Sequence, residues 1–159
     1  MTSASPNIEI RAEEITSPSA QDLIRGLNAE LSERYPEQGA NHFRVDPDEV
    51  APGRGAFLVV YDGGVPVACG AIRRHDSHTA EIKRMYVVPA ARGRGLSRMV
   101  LLALEQEGRR LGVKRLVLET GLRQTEALAL YKRSGFVRIA SFGEYVESPL
   151  SVCMAKDVP

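Results

Sequence analysis

The chain of 159 residues has no tryptophan, two cysteines and almost no net charge: 21 Lys and Arg stand against 20 Asp and Glu, leaving +1. Near neutrality excludes a global electrostatic pull toward nucleic acid or a membrane surface, so any anion site must be local. Cys69 and Cys153 belong to no C-x-x-C pair or Cys/His cluster. Each is expected as a buried small hydrophobe in a reducing compartment. His42, His75 and His78 lack metal-ligand spacing and read as surface or loop residues, so no metal is expected. No apolar run is long enough to span a bilayer, and MTSASPNIEI lacks the basic start and apolar middle of a signal peptide. A cytoplasmic protein without a membrane partner is the expectation.

What is present suffices for one domain over residues 1–159, with 43% hydrophobic residues to build a core. NIEIR alternates as a first strand. SPSAQDLIRGLNAELSERY follows with a Ser cap, an early Pro, and Leu23, Ile24, Leu27 and Leu31 at helical spacing. Residues 36–55 carry Pro, Gly, Asn and Asp without periodicity, a long irregular stretch of the kind that is often functional. Three strand-like runs then succeed one another, parted by Asp62-Gly63-Gly64 and by His75-Asp76-Ser77-His78, which predicts an antiparallel meander. A helix is predicted over Leu96–Leu111, stopped by Gly112. KRLVLET reads as a central strand, QTEALALYKR as a helix, and FVRIASF and LSVCMAK as closing strands. The result is an α/β (α+β) domain: a mixed sheet of six to seven strands flanked by three to four helices, parallel around the strand-helix-strand unit of residues 81–119.

RGRGLS, residues 92–97, places two glycines at the mouth of the helix. A helix N-terminus offers unsatisfied N–H groups and partial positive charge to an anion. Gly93 and Gly95 permit close backbone approach, and Arg92 and Arg94 add charge for a phosphate. The loop lacks the third glycine of G-x-G-x-x-G and the Lys-Ser/Thr pair of a P-loop. Taken alone, it is equally a strand-to-helix turn decorated with solvated arginines.

Its surroundings separate those readings. EIKRMYVVPAARGRGLSRMVLLALEQEGRRLG resembles the acetyl-CoA-binding motif of the GNAT superfamily of N-acetyltransferases, through Val87 and Pro89, then Arg92, Gly95 and Ser97. Ser97 stands where Gly or Ala is usual. LVLETGLRQTEALALYKRSGF resembles the superfamily's next motif through Ala127, Leu130, Tyr131, Gly135 and Phe136, with Gln124 in place of the usual Asn.

The resemblance implies a GNAT-like fold whose sheet splays to admit acetyl-CoA. The backbone of Met85, Tyr86 and Val87 would then pair with the pantetheine arm, amides of Arg92, Gly93, Arg94, Gly95, Leu96 and Ser97 would hold the pyrophosphate, and Gln124 would contribute its amide. It implies direct acetyl transfer to a primary amine of a small molecule or peptide in a ternary complex, with Glu81 as general base and Tyr131 as general acid. Period-two alternation would put Glu81, Lys83, Met85 and Val87 on one face, provided no bulge intervenes. The alternative for Glu81 is a solvated charge paired with Lys83 or Arg84, and for Tyr131 a core aromatic.

Glu30, Arg34, Tyr35, His42, Phe43 and Tyr145 are candidates for the acceptor site, and Arg73 or Arg74 for recognition of a carboxylate. The acceptor itself stays open, as does the state, monomer or homodimer. A catalytically silent acyl-CoA sensor is the alternative function, against which the presence of both Glu81 and Tyr131 weighs. An RNA-binding module built on RGRG lacks aromatic interleaving and net positive charge, so no nucleic-acid partner is expected.

Overall fold

The computed structural model describes residues 7–37 and 45–159. Its centre is one sheet of seven strands in the order β1-β2-β3-β4-β5-β7-β6. These are β1 Ile8–Ala12, β2 Gly55–Asp62, β3 Val65–Arg74, β4 Thr79–Val87, β5 Arg115–Gly121, β6 Val137–Ile139 and β7 Ser151–Asp157. The described helices are α1 Pro18–Arg34, α2 Leu96–Arg110 and α3 Thr125–Arg133, with one-turn 3-10 helices at Pro47–Val50, Pro89–Ala91 and Gly143–Tyr145. The predicted order of elements is the observed one. FVRIASF yields only three strand residues, because β6 is an edge strand that pairs with β7 alone.

β1 to β4 form the antiparallel meander, and α2 carries the chain over to β5, which lies parallel to β4. α1 starts where Ser17 Oγ accepts a hydrogen bond from the Ala20 amide and Pro18 fills the first turn. Each face of the sheet has its own core. On one, Leu96, Val100, Leu101 and Leu104 of α2 pack on Leu58, Ile72, Ile82 and Leu118. On the other, Ala20 and Leu23 of α1 pack on Phe57, Val59, Cys69 and Ala71. Cys69 and Cys153 are buried free thiols, and burial pushes Cys69 up to about 12, as expected for structural cysteines.

α2 lies close on β3 because Gly70 has no side chain: a Cβ there would fall 2.6 Å from Val100 Cγ1 and 2.8 Å from Leu104 Cδ1.

Two departures from regular pairing open the molecule. β4 and β5 are partnered only from Thr79/Arg115 to Ile82/Leu118 and separate beyond. The β3–β4 register shifts between Cys69 and Ala71, and opposite that shift Arg84 takes φ +58, alone among the described non-glycine residues in the positive-φ region. This bulge overturns the expected alternation. Glu81 and Lys83 lie opposite Arg73 and Ala71 on the α1 face, and Tyr86, opposite Cys69, continues that face. Met85 and Val87 are turned to the α2 face, where they join Leu96 and Val100.

Candidate active site

Where β4 and β5 part, a cleft of about 390 Å³ opens. Its walls are the end of α1, β4 from Ile82 to Val87, the turn before α2, the end of β5, one face of α3, and the segment from Tyr145 to Ser151. One concavity thus joins the glycine loop to the strand splay. The expected residues Met85, Tyr86, Val87, Arg92, Gly93, Gly95, Leu96, Ser97, Gln124 and Tyr131 all line it.

The glycine loop is built for close approach. Gly93 and Gly95 have φ of +81 and +77, and nothing lies within 4 Å of the position a Cβ would take on either. Gly95 is the N-cap of α2 and supplies no side-chain cap, and the first turn contains no acidic residue. The amides at this helix start are therefore offered outward to an anion. Both arginines are otherwise engaged. Arg92 donates through Nε to the Val87 carbonyl at 3.0 Å and pairs with Glu30, while Arg94 binds Asp62 at 2.9 Å and leaves the cleft wall. The loop's attraction for phosphate thus rests on backbone amides, and the side chain of Arg94 takes no part in the cleft.

Beyond Ile82 the edge of β4 facing β5 is released from the sheet, so an extended ligand arm has an unpaired strand edge to add to. Gln124, the N-cap of α3, lines the cleft, its Oε1 accepting the Gly121 amide at 2.9 Å. Tyr35 closes the wall above it: its hydroxyl accepts the Arg123 amide at 2.9 Å and sits where a Cβ on Gly121 would collide. These features fit the shape of acetyl-CoA: an anion cradle, a free strand edge and a narrow passage between them.

Tyr131 is buried at the α3 wall and packs edge-on against Phe136 with ring centroids 5.8 Å apart. Burial, reinforced by the charge of Glu119, raises its phenol well above the ordinary value. It stays protonated, and its hydroxyl has no protein hydrogen-bond partner among the described residues. A phenol so placed is available to donate.

Glu81 occupies a different place from the one expected. Its side chain is 0% exposed and is absent from the cleft wall. Arg73 reaches it at 2.9 and 3.0 Å, His75 Nε2 donates at 2.9 Å, and the Tyr145 hydroxyl donates at 2.6 Å. Burial opposes its ionisation, but the His75 hydrogen bond, the Lys83 charge, the Tyr145 hydrogen bond and the Arg73 charge outweigh it and hold the carboxyl at about 2. A carboxylate of that acidity, already accepting from three side chains, is a feeble proton acceptor. Neither Lys83 nor Arg84 is its direct partner. Arg73, expected to face solvent or a ligand, instead crosses from Glu81 to Glu49, and Arg74 reaches the Leu111 carbonyl.

Glu30, Glu119 and Glu126 line the cleft, and of these Glu119 lies on β5, the strand that parts from β4. It accepts from Ser151 Oγ, and burial moves its carboxyl above the usual range. The sequence signal for it is a lone acidic residue within the apolar strand KRLVLET. Lys83 completes this end, its amine 2.8 Å from the Tyr145 hydroxyl and 3.0 Å from Glu144. Of the acceptor candidates, Glu30, Arg34, Tyr35 and Tyr145 line the cleft; His42 and Phe43 lie outside the described residues.

A phosphate-sized cradle, a separated pair of parallel strands and a buried phenol thus meet in one cleft. The profile of the Acetyltransferase (GNAT) family matches residues 20–136. The chain belongs to the GNAT acetyltransferase family. An IAA acetyltransferase of Azospirillum brasilense is 38% identical over 152 residues, covering 95% of this chain and 98% of the relative. The N-acetyltransferase YjgM of Escherichia coli (strain K12), itself uncharacterized, is 37% identical over 77% of each chain. Among solved structures, a Klebsiella pneumoniae chain assigned as an acyl-CoA N-acyltransferase superposes with a TM-score of 0.80 at 32% identity, covering 94% of this chain and 97% of its own. A GNAT acetyltransferase from Elizabethkingia anophelis, solved with acetyl-CoA bound, shares the fold at a TM-score of 0.69 and 18% identity, with 97% of this chain and all of the other covered. With this membership the GNAT chain is an enzyme of the N-acetyltransferase class, and no described helix is long and apolar enough to cross a membrane.

Proposed function

We propose that this GNAT protein moves an acetyl group from acetyl-CoA to a primary amine of a small molecule by direct transfer within a ternary complex. The observation that carries the proposal is the continuity of one cleft from the uncapped start of α2, past the released edge of β4, to Tyr131 and Glu119. Acetyl-CoA, when bound, supplies the activated thioester.

The amides from Arg92 to Ser97 bind its diphosphate, and the backbone from Met85 to Val87 aligns its arm. Glu119 takes the proton of the incoming ammonium. Its environment suits a general base, because a carboxyl moved upward by burial holds a proton more strongly, and it lies on the cleft wall. Glu81 is assigned a positioning role, because it holds the Tyr145 hydroxyl that in turn orients the Lys83 amine. Tyr131 donates its proton to the departing thiolate, and the phenol is restored by the second proton that the attacking nitrogen loses as the amide forms. Tyr131 is protonated at neutral pH, and the Glu119 charge that disfavours its phenolate is removed when Glu119 takes the ammonium proton.

The test is release of CoA thiol from acetyl-CoA against a panel of primary amines. Wild type should turn over, Tyr131→Phe should retain acetyl-CoA binding with a lower kcat, and equal kcat in the two would remove Tyr131 from the chemistry.

A further inference from the structure

Each turnover of the proposed reaction leaves a proton behind. An ammonium brings three N–H hydrogens and departs as an amide with one. Of the two it loses, one restores the Tyr131 phenol, whose own proton has gone to the thiolate, and the other rests on Glu119. That carboxyl must be emptied before it serves again, and while CoA and the acceptor fill the cleft its open side is covered.

Behind Glu119 lies a pair of hydroxyls. Ser151 opens β7 opposite Gly121, and its Oγ stands 2.5 Å from Glu119 Oε2 and 2.7 Å from Ser148 Oγ. A hydroxyl has one hydrogen to give and lone pairs to accept with, so Ser151 donates to one of these neighbours while remaining open to the other. Ser148 is half-buried and borders both the cleft and a shallow depression of the outer surface, where Arg138, Val146 and Glu147 are its neighbours. The pair therefore leads from a buried carboxyl to a second, outward face.

The segment SPLS builds this arrangement. Pro149 occupies the second position of a turn in which the Ser151 amide donates to the Ser148 carbonyl at 3.2 Å. The Leu122 amide donates to the Leu150 carbonyl at 2.9 Å and fastens the turn to the residue after β5. Burial alone would favour an apolar residue at the start of β7, where Ser151 is 7% exposed and the next four residues are Val, Cys, Met and Ala. A buried hydroxyl is costly unless it is bonded, and this one is bonded to the candidate base.

Resting on the reading of Glu119 as base, we infer that Ser151 and Ser148 form a hydroxyl relay that carries the proton of each turnover from Glu119 to water at the outer depression. The O–H bond of the Glu119 carboxyl breaks as its proton passes to Ser151 Oγ. The proton of Ser151 passes to Ser148 Oγ, and that of Ser148 to water. Each serine ends with one hydrogen and no charge, the carboxylate is regenerated, and Ser151 donates to it again.

The experiment uses the full chain, acetyl-CoA, and whichever of benzylamine, putrescine, glucosamine and lysine releases thiol fastest. The variants are Ser148→Ala, Ser151→Ala, Ser151→Thr and Glu119→Gln, with thermal unfolding to check folding and calorimetry to check acetyl-CoA affinity. Besides Ser151, the titratable groups set around Glu119 are Lys83 and Glu81 on β4, Glu144 and Tyr145 in the loop after β6, Cys153 on β7, Tyr131 on α3 and Tyr35 after α1, and the serine variants leave all of them in place. Ser148→Ala should lower kcat about tenfold or more with the acid limb of its pH profile unmoved, since Ser148 does not bond the carboxylate. Ser151→Ala should lower kcat similarly and move that limb to higher pH, because the lost hydrogen bond favours the ionised carboxyl. Ser151→Thr, which keeps the hydroxyl, should recover both. Imidazole added at constant pH should restore Ser148→Ala by carrying the proton itself. A kcat for Ser148→Ala within about twofold of wild type, or a loss that imidazole does not relieve, would overturn the relay while an inactive Glu119→Gln keeps the base. Full activity in Glu119→Gln, or no thiol release with any of the four amines, would remove the base reading and the relay with it.

Discussion

Glu81 and Glu119 lie on the same face of neighbouring parallel strands, since Glu81 is registered with Val117, two residues before Glu119. Their environments drive them in opposite directions. The Glu81 carboxyl falls from 4.5 to about 2, so it contributes stability above pH 4.5 that is lost as the pH falls toward 2. By its shift that contribution is ~3 kcal/mol. Glu119, shifted upward, has the opposite sign: its ionised form is disfavoured by folding, and the penalty disappears as the pH falls through its raised value toward 4.5. Glu81→Gln should therefore cost ~3 kcal/mol at pH 7, because Arg73, 12% exposed, loses its buried counter-charge. Urea denaturation at pH 7 and pH 3 should show the deficit shrinking in acid; a deficit constant across that range would contradict the assigned pair. Glu119→Gln should leave stability at pH 7 equal or higher and lower kcat by roughly 10²-fold or more. It should also flatten the acid limb of the kcat–pH profile, and an unchanged profile would remove Glu119 as base. Tyr131→Phe should lower kcat to a similar degree with stability within ~0.5 kcal/mol, since no hydrogen-bond partner is left unsatisfied. The lone Glu in KRLVLET and the Tyr in LALYKR are both visible in the sequence. Which glutamate is held by Arg73, His75 and Tyr145, from two separate segments, is not, since strand pairing and the loop after β6 bring those groups together.

At the scale of elements, the site depends on two interruptions of the sheet. Hydrophobic periodicity locates the strands and helices because burial of one face imposes it. It carries no trace of the bulge at Arg84: EIKRMYVV alternates well enough to hide one extra residue, and so simple alternation puts Met85 and Val87 on the face they do not occupy. The splay escapes periodicity as well, and becomes visible through the V-x-P and glycine-loop motif, whose residues serve a ligand. Packing between α2 and β3 sets the position of the helix start relative to β4. Gly70→Ala should destabilise by ~1–3 kcal/mol through contact with Val100 and Leu104. Because that strain would shift α2, affinity for acetyl-CoA should weaken in parallel, which titration calorimetry on the folded variant would detect. Destabilisation without loss of affinity would show that the cradle is set by the loop alone.

For the molecule as a whole, the near-neutral chain concentrates its functional charge in one cleft. The two cores cover the two faces of the sheet, and the gap between β4 and β5 is lined by Glu119 and Tyr131, which titrate out of the ordinary. A ligand that binds only the native state must stabilise it by mass action, so acetyl-CoA at about a hundred times its Kd should add ~2.7 kcal/mol. The measurement that bears most directly on the central claim is calorimetric titration of acetyl-CoA into wild type and Gly95→Asp. At Gly95 a new side chain meets no protein atom within 4 Å, but it carries negative charge into the mouth of α2 and must adopt φ +77. The account predicts saturable one-site binding to wild type, and a loss of about a hundredfold or more in Gly95→Asp whose thermal unfolding remains cooperative. Binding of equal strength to both proteins, or none to wild type, would contradict the assignment of this cleft to acetyl-CoA.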